Sequence, residues 1–101
     1  MVEAIDAIDR FTKDMDQTAF VNDEKTIFAV RAAFITLGEA AGSIPQAFRN
    51  THPGVPWREV RHFRNFMIHV YDRIDPNPLW ETLQNDLPAL RDAIRAILDS
   101  L

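Results

Sequence analysis

Trp80, Leu83, Leu87, Leu90, Ile94, Ile97 and Leu101 recur at alternating three- and four-residue steps along the last stretch of the chain. That is the period of a helix with one apolar face. The phase survives Pro88, although a proline inside a helix removes a donor and clashes one turn back at a cost of ~3 kcal/mol. Two arrangements satisfy both facts: one long helix kinked at Pro88, or two helices with little change of face.

The same period extends upstream. Val2, Ile5, Ile8, Phe11 or Thr12, and Met15 predict a first amphipathic helix, and Thr18 to Asn22 reads as a connector. Ile27, Val30, Phe34, Leu37 and Ala41 predict a second helix, with Gly38 and Gly42 near its end. Ser43-Ile44-Pro45-Gln46 resembles a capping box with proline in the first turn, opening a short helix through about Arg49. Two prolines and a glycine make residues 50–56 a loop. A further helix starts near Pro56-Trp57 with Val60, Phe63, Met67 and Val70 on its apolar side, and Asp75-Pro76-Asn77-Pro78 stops it. No strand-like alternation of useful length is present. The reading is all-α: a single domain over residues 1–101, an antiparallel bundle of four to five helices whose flat apolar faces suit a dimer.

At 101 residues such a domain buries roughly 65% of its unfolded surface, which is feasible but marginal alone. Cysteine is absent, which excludes disulfides and thiolate metal sites and agrees with a reducing compartment. No apolar run approaches membrane-spanning length. Val2-Glu3-Ala4-Ile5-Asp6 lacks the basic and apolar regions of a secretory signal. A cytoplasmic location is the expectation.

The net charge of −4 argues at first against a polyanionic partner. Its distribution reverses that argument. Between Arg49 and Arg73 stand Arg49, Arg58, Arg61, Arg64 and Arg73 against Glu59 and Asp72 alone, while the remainder holds six bases and thirteen acids. His52, His62 and His69 fall in the same basic stretch. A cationic patch on an acidic body can bind phosphates while limiting indiscriminate adhesion.

Within that stretch, Arg64-Asn65-Phe66-Met67-Ile68-His69-Val70-Tyr71 concentrates a guanidinium, an amide, an imidazole and a phenol. Arginine is a permanent cation whose planar fork fits phosphate oxygens. Histidine exchanges protons near neutrality. These are the groups needed to cleave a phosphodiester without a metal, with His69 as general base or general acid and Arg64 holding the phosphate. At about 100° per residue, Asn65 and His69 lie about 40° apart, but Arg64 and His69 are about 140° and ~7.5 Å apart. One straight helix does not focus both on one phosphate. A wrapping Arg stem, a distorted helix, or a second copy across a two-fold axis would complete the site. The bland reading is a surface pair without a role, with Tyr71 at the edge of the core. His52 and His62 have no second ligand at metal spacing, so neither metal nor cofactor is expected. Gly38 and Gly42 follow no strand, so they form no phosphate loop.

Arg64, four intervening residues, His69, one residue and Tyr71, with Asn65 after the arginine, resembles the signature of the HepT-like branch of the HEPN superfamily. The likeness extends through Asp23-Glu24-Lys25-Thr26, Gly38-Glu39-Ala40-Ala41, Pro56-Trp57-Arg58-Glu59-Val60, Trp80-Glu81-Thr82-Leu83 and Asp86-Leu87-Pro88-Ala89-Leu90. The resemblance implies an all-helical HEPN-like homodimer acting as a metal-independent endoribonuclease, the toxin of a type VII-like toxin–antitoxin system. Its implied partner is a nucleotidyltransferase antitoxin of the MntA type that adenylylates the motif tyrosine. Carried over by residue, Arg64 and His69 are catalytic, Asn65 supports them, and Tyr71 is the AMPylation target. Arg61, His62 and Arg73 are candidates for RNA contact. Two positions depart from the usual pattern: His62, where many relatives carry a small residue, and Val70, where a polar residue is common. The alternatives are a non-catalytic HEPN module that binds nucleotide or scaffolds a nucleotidyltransferase, and a plain helical interaction protein.

Overall fold

A computed structural model of the chain describes residues 1–69 and 75–101, and of Phe66, Ile68 and His69 the backbone alone. Among the described residues there are seven helices and no strand: α1 (Val2–Thr12), α2 (Gln17–Val21), α3 (Glu24–Ser43), α4 (Gln46–Thr51), α5 (Trp57–His69), α6 (Pro76–Asn85) and α7 (Leu87–Asp99). The five longer helices form the expected bundle. The other two are short: α4 fills the segment where a short helix was expected, and α2 replaces the expected connector. Asp16 starts α2 by accepting the Ala19 N–H at 2.8 Å. The Phe20 ring is fully buried against Trp80 at a centroid distance of 5.3 Å, which ties α2 to α6.

α3 is the spine, packing against α1 on one side and α5 on the other. Asp23 caps it, accepting the Thr26 N–H at 3.1 Å and the Thr26 hydroxyl at 2.8 Å. The backbone bond comes first among the causes that hold the Asp23 carboxyl below its ordinary pKa. A depressed carboxylate stabilises the fold above its unfolded pKa, and that contribution fades as acid titrates the folded group. Val30, Phe34, Leu37 and Ala41 form the buried face of α3, as the periodicity predicts.

The C-terminal pattern resolves into two helices. Asp86 ends α6 and opens α7, with Leu87 and Pro88 in the first turn, where proline needs no donor. Backbone bonds Asp86→Thr82 (3.0 Å) and Leu90→Asp86 (3.2 Å) run across the junction, so the apolar face barely turns. The core phase differs slightly from the expected one. Leu79, at 2% exposure, takes the inward position assigned to Trp80, which is half-buried, and Leu101 is 83% exposed. Leu83, Leu87, Leu90 and Ile94 are buried as expected, so at the start of the stripe only the first position moves, from Trp80 to Leu79. Of the two alternatives for the α1 face, Phe11 is exposed and Thr12 half-buried, whereas Ile5 and Ile8 are fully buried. Burying such an aliphatic side chain contributes ~1.5–3 kcal/mol.

Two local expectations are corrected. Ser43 is not a cap: it closes α3, its hydroxyl donates to the Ala40 carbonyl at 2.8 Å, and α4 begins after Pro45 without a side-chain cap. Asp75-Pro76-Asn77-Pro78, expected as a stop, starts a helix, and what stops α5 lies outside the described residues. Asp75 accepts the Asn77 N–H at 3.0 Å, and Pro76 occupies the first turn of α6. Across the termini, Asp9 pairs with Arg91 and Asp6 with Arg95, the latter at 3.6 Å, so α1 and α7 run antiparallel.

Candidate active site and basic groove

α3 and α5 also run antiparallel, in a register fixed by four contacts. Arg31 Nε donates to the Met67 carbonyl at 3.1 Å. Phe34 meets Phe63 edge-on with centroids 5.0 Å apart. Gly38 faces Arg64, and Gly42 lies under Arg61. The Gly38 contact is the tightest. A Cβ at that position would stand 2.2 Å from Arg64 Cβ and 2.4 Å from Arg64 Cγ. The aliphatic stem of Arg64 therefore lies across bare α3 backbone, and glycine is the residue that leaves room for it.

This bedding fixes the base of the arginine side chain without neutralising its end. Arg64 is half-buried, its Nε is sealed from solvent without a hydrogen-bond partner, and no ion pair is formed with it among the described residues. A buried donor left unmade costs on the order of 1–3 kcal/mol, and an anionic oxygen is the natural acceptor for a guanidinium. The Arg31 bond holds the α5 backbone two residues before His69. The described part of α5 runs to His69, whose side chain lies outside the described residues, as do Tyr71 and Arg73 entirely.

Asn65 is exposed and opens into a groove of about 370 Å³ between α4 and α5. Gln46, Arg49 and Asn50 line it from α4; Trp57, Arg58, Arg61 and His62 line it from α5. The structure thus brings Arg61, His62 and Asn65 together, while Arg64 lies against α3 and is not part of this lining. Among the described residues no carboxylate lines the groove. Glu59 instead borders a separate, mostly apolar cavity of about 450 Å³, with Phe34, Val60, Phe63, Leu87 and Leu90. Among the described residues, no group of three His, Asp or Glu side chains is placed to hold a metal ion. No helix there is long and apolar enough to cross a membrane.

The sequence matches the family described as Ribonuclease HepT-like over residues 1–97. The chain belongs to this family. A Thermococcus cleftensis protein named "Probable ribonuclease HepT" is 41% identical over 91 residues, covering 90% of this chain and 83% of the relative. Two Methanocaldococcus jannaschii proteins, each named as an RNase candidate, are 34% and 33% identical over 97 residues, covering 96% of this chain and 89% and 84% of their own lengths. No solved structure matches the chain significantly.

In this HepT-like chain, sequence reasoning singled out the Arg64 to Tyr71 octet but missed Gln46, Arg49, Asn50, Trp57 and Arg58 as neighbours of Asn65. A signal existed on α5, where Arg58, Arg61, His62 and Asn65 stand at helical spacing on one face. Nothing comparable announced α4, because the loop between the helices conceals which face of it turns toward α5.

Proposed function

We propose that the chain is a metal-independent endoribonuclease, the toxin of a type VII-like toxin–antitoxin pair, acting in the cytoplasm as a homodimer of single-domain subunits. The family match over residues 1–97 carries this reading. It is supported by a half-buried Arg64 that is bedded on Gly38 and forms no ion pair among the described residues, and by the cationic groove that meets the motif at Asn65. Arg64 and His69 point about 140° apart on one ideal helix, so a two-fold pair of α5 helices supplies the guanidinium of one copy and the imidazole of the other to one phosphate.

In that cleft His69 removes the proton of a ribose 2′-hydroxyl, and the oxygen attacks the adjacent phosphorus. The 5′-oxygen leaves and takes up a proton from the protonated His69 imidazole or from water. The products are a 2′,3′-cyclic phosphate and a free 5′-hydroxyl. Arg64 offsets the charge that accumulates on the phosphoryl oxygens, and Asn65 orients the imidazole or the scissile group. Purified chain should cleave single-stranded RNA in EDTA, with a rate that changes through the pH range of imidazole titration. Loss of cleavage in EDTA would defeat metal independence, and a flat pH profile would remove His69 from proton transfer. An inactive parent that still binds nucleotide would favour the non-catalytic module.

Control by an MntA-type nucleotidyltransferase belongs to the same proposal. The Tyr71 phenol oxygen attacks the α-phosphorus of ATP, pyrophosphate leaves, and the attached AMP competes with RNA for Arg64. Incubation with ATP, magnesium and the nucleotidyltransferase should add AMP mass to the parent and none to Tyr71→Phe. Full modification of the variant would place the target elsewhere.

A further inference from the structure

The groove between α4 and α5 has a composition that cleavage of one phosphodiester does not require. Arg49, Arg58, Arg61 and His62 converge on it without a carboxylate in the lining among the described residues. Its volume of about 370 Å³ falls within the ~300–1,000 Å³ range of ligand sites. The charge is also left uncompensated at the level of contacts. Among the described residues the two ion pairs, Asp9–Arg91 and Asp6–Arg95, engage α7 arginines and none from the groove.

Arg49 is arranged in detail. One terminal nitrogen donates to Gln46 Oε1 at 2.9 Å, and Gln46 Nε2 donates to Asn50 Oδ1 at 2.9 Å. Amides therefore orient the guanidinium while its full charge remains, and its Nε is sealed from solvent without a partner. Trp57 is fixed by its indole N–H, which donates to the His52 carbonyl at 3.0 Å. From Arg58 to Asn65 the α5 wall extends about 10 Å along the helix axis.

We infer that this groove is a binding track for the single-stranded RNA that flanks the cleaved bond, with Arg49, Arg58 and Arg61 contacting successive backbone phosphates. The inference rests on the ribonuclease reading and adds where the substrate runs. Asn65 joins the two sites, so a strand leaving the Arg64 position enters the groove at that residue. An oriented Arg49 and two further guanidiniums without an ion pair among the described residues, beside a fixed aromatic ring, suit a phosphate backbone with exposed bases. The acid-bordered apolar cavity on the other side of α5 does not. The track predicts that affinity depends on strand length and salt, and that short substrates bypass it.

The test measures anisotropy of a labelled, uncleavable 2′-O-methyl RNA 12-mer across a salt series, with the parent, Arg49→Gln, Arg58→Gln, Arg61→Gln and, as control, Arg95→Gln on α7. Circular dichroism confirms folding of each. Each groove variant should bind several-fold more weakly and flatten the log–log salt slope by ~0.7 per lost contact, the value for single strands. Arg95→Gln should match the parent. On cleavable RNA the groove variants should raise KM for the 12-mer, keep kcat, and leave a dinucleotide unaffected. Unchanged affinity and slope, or equal weakening by Arg95→Gln, would overturn the track, as would variants that lose the antitoxin while keeping RNA. Groove-dependent binding without any cleavage would sink the ribonuclease reading and leave the track standing. Normal cleavage with unaltered KM in all three variants would do the reverse.

Discussion

Gly38→Ala should lower both stability and RNA cleavage sharply, although alanine is the better helix former. The added Cβ would stand 2.2 Å from Arg64 Cβ. Neither atom belongs to a flexible chain end, so α3 and α5 must separate locally. Overpacking of this kind costs ~1–3 kcal/mol, partly offset by the ~1 kcal/mol that alanine gains over glycine in a helix. A net loss of about 1 kcal/mol corresponds to a Tm lower by ~4–8 °C in a domain of this size. Activity should fall further than stability, because an ångström of misplacement at a reacting group can cost on the order of 10²-fold. Gly42→Ala is the matched control, since its added Cβ would meet Arg61 Nε at an ordinary 3.9 Å. It should hold or raise Tm and keep cleavage. Equal behaviour of the two variants in thermal melts and RNA cleavage would show that the Gly38–Arg64 contact does not position the guanidinium.

His69→Ala and Arg64→Ala should each remove most of the cleavage activity while the chain stays folded. A positioned proton-transfer group contributes ~10²–10⁴-fold, and loss of one charge-stabilising donor costs ~10²–10³-fold. Arg64→Lys should recover little, because a compact ammonium keeps the charge but lacks the planar fork that takes two phosphoryl oxygens. Mixing the two alanine variants provides the sharper readout. In a composite cleft, a heterodimer pairs the intact Arg64 of one copy with the intact His69 of the other, and some activity returns. Absence of any return, with subunit exchange verified, would place both groups on one chain.

The helices were legible because apolar spacing and burial obey the same geometry: Val30, Phe34 and Leu37 are spaced for burial and are buried. Ser43 misled because a hydroxyl before a proline looks like a cap, yet bonding to its own helix satisfies it equally well. α2 escaped because five residues, Gln17–Val21, are too few to show a period. The octet was visible through spacing and chemistry. The seat of Arg64 was not, because Gly38 acquires its meaning only when α5 is laid antiparallel to α3, a contact between residues 26 positions apart. Arg49 was hidden for the same reason. Its helix shows which groups it carries, and tertiary packing alone decides what they face.

The pairing of α1 aspartates with α7 arginines has a consequence for encounter. Among the described residues those pairs tie the two α7 arginines to α1 acid, whereas Arg49, Arg58 and Arg61 gather on one groove without an ion pair, so the molecule is electrically lopsided. A lopsided body experiences torque in the field of a polyanion and is turned before it touches. Productive orientation then begins during diffusion, and added electrolyte would slow capture before it altered anything inside the fold.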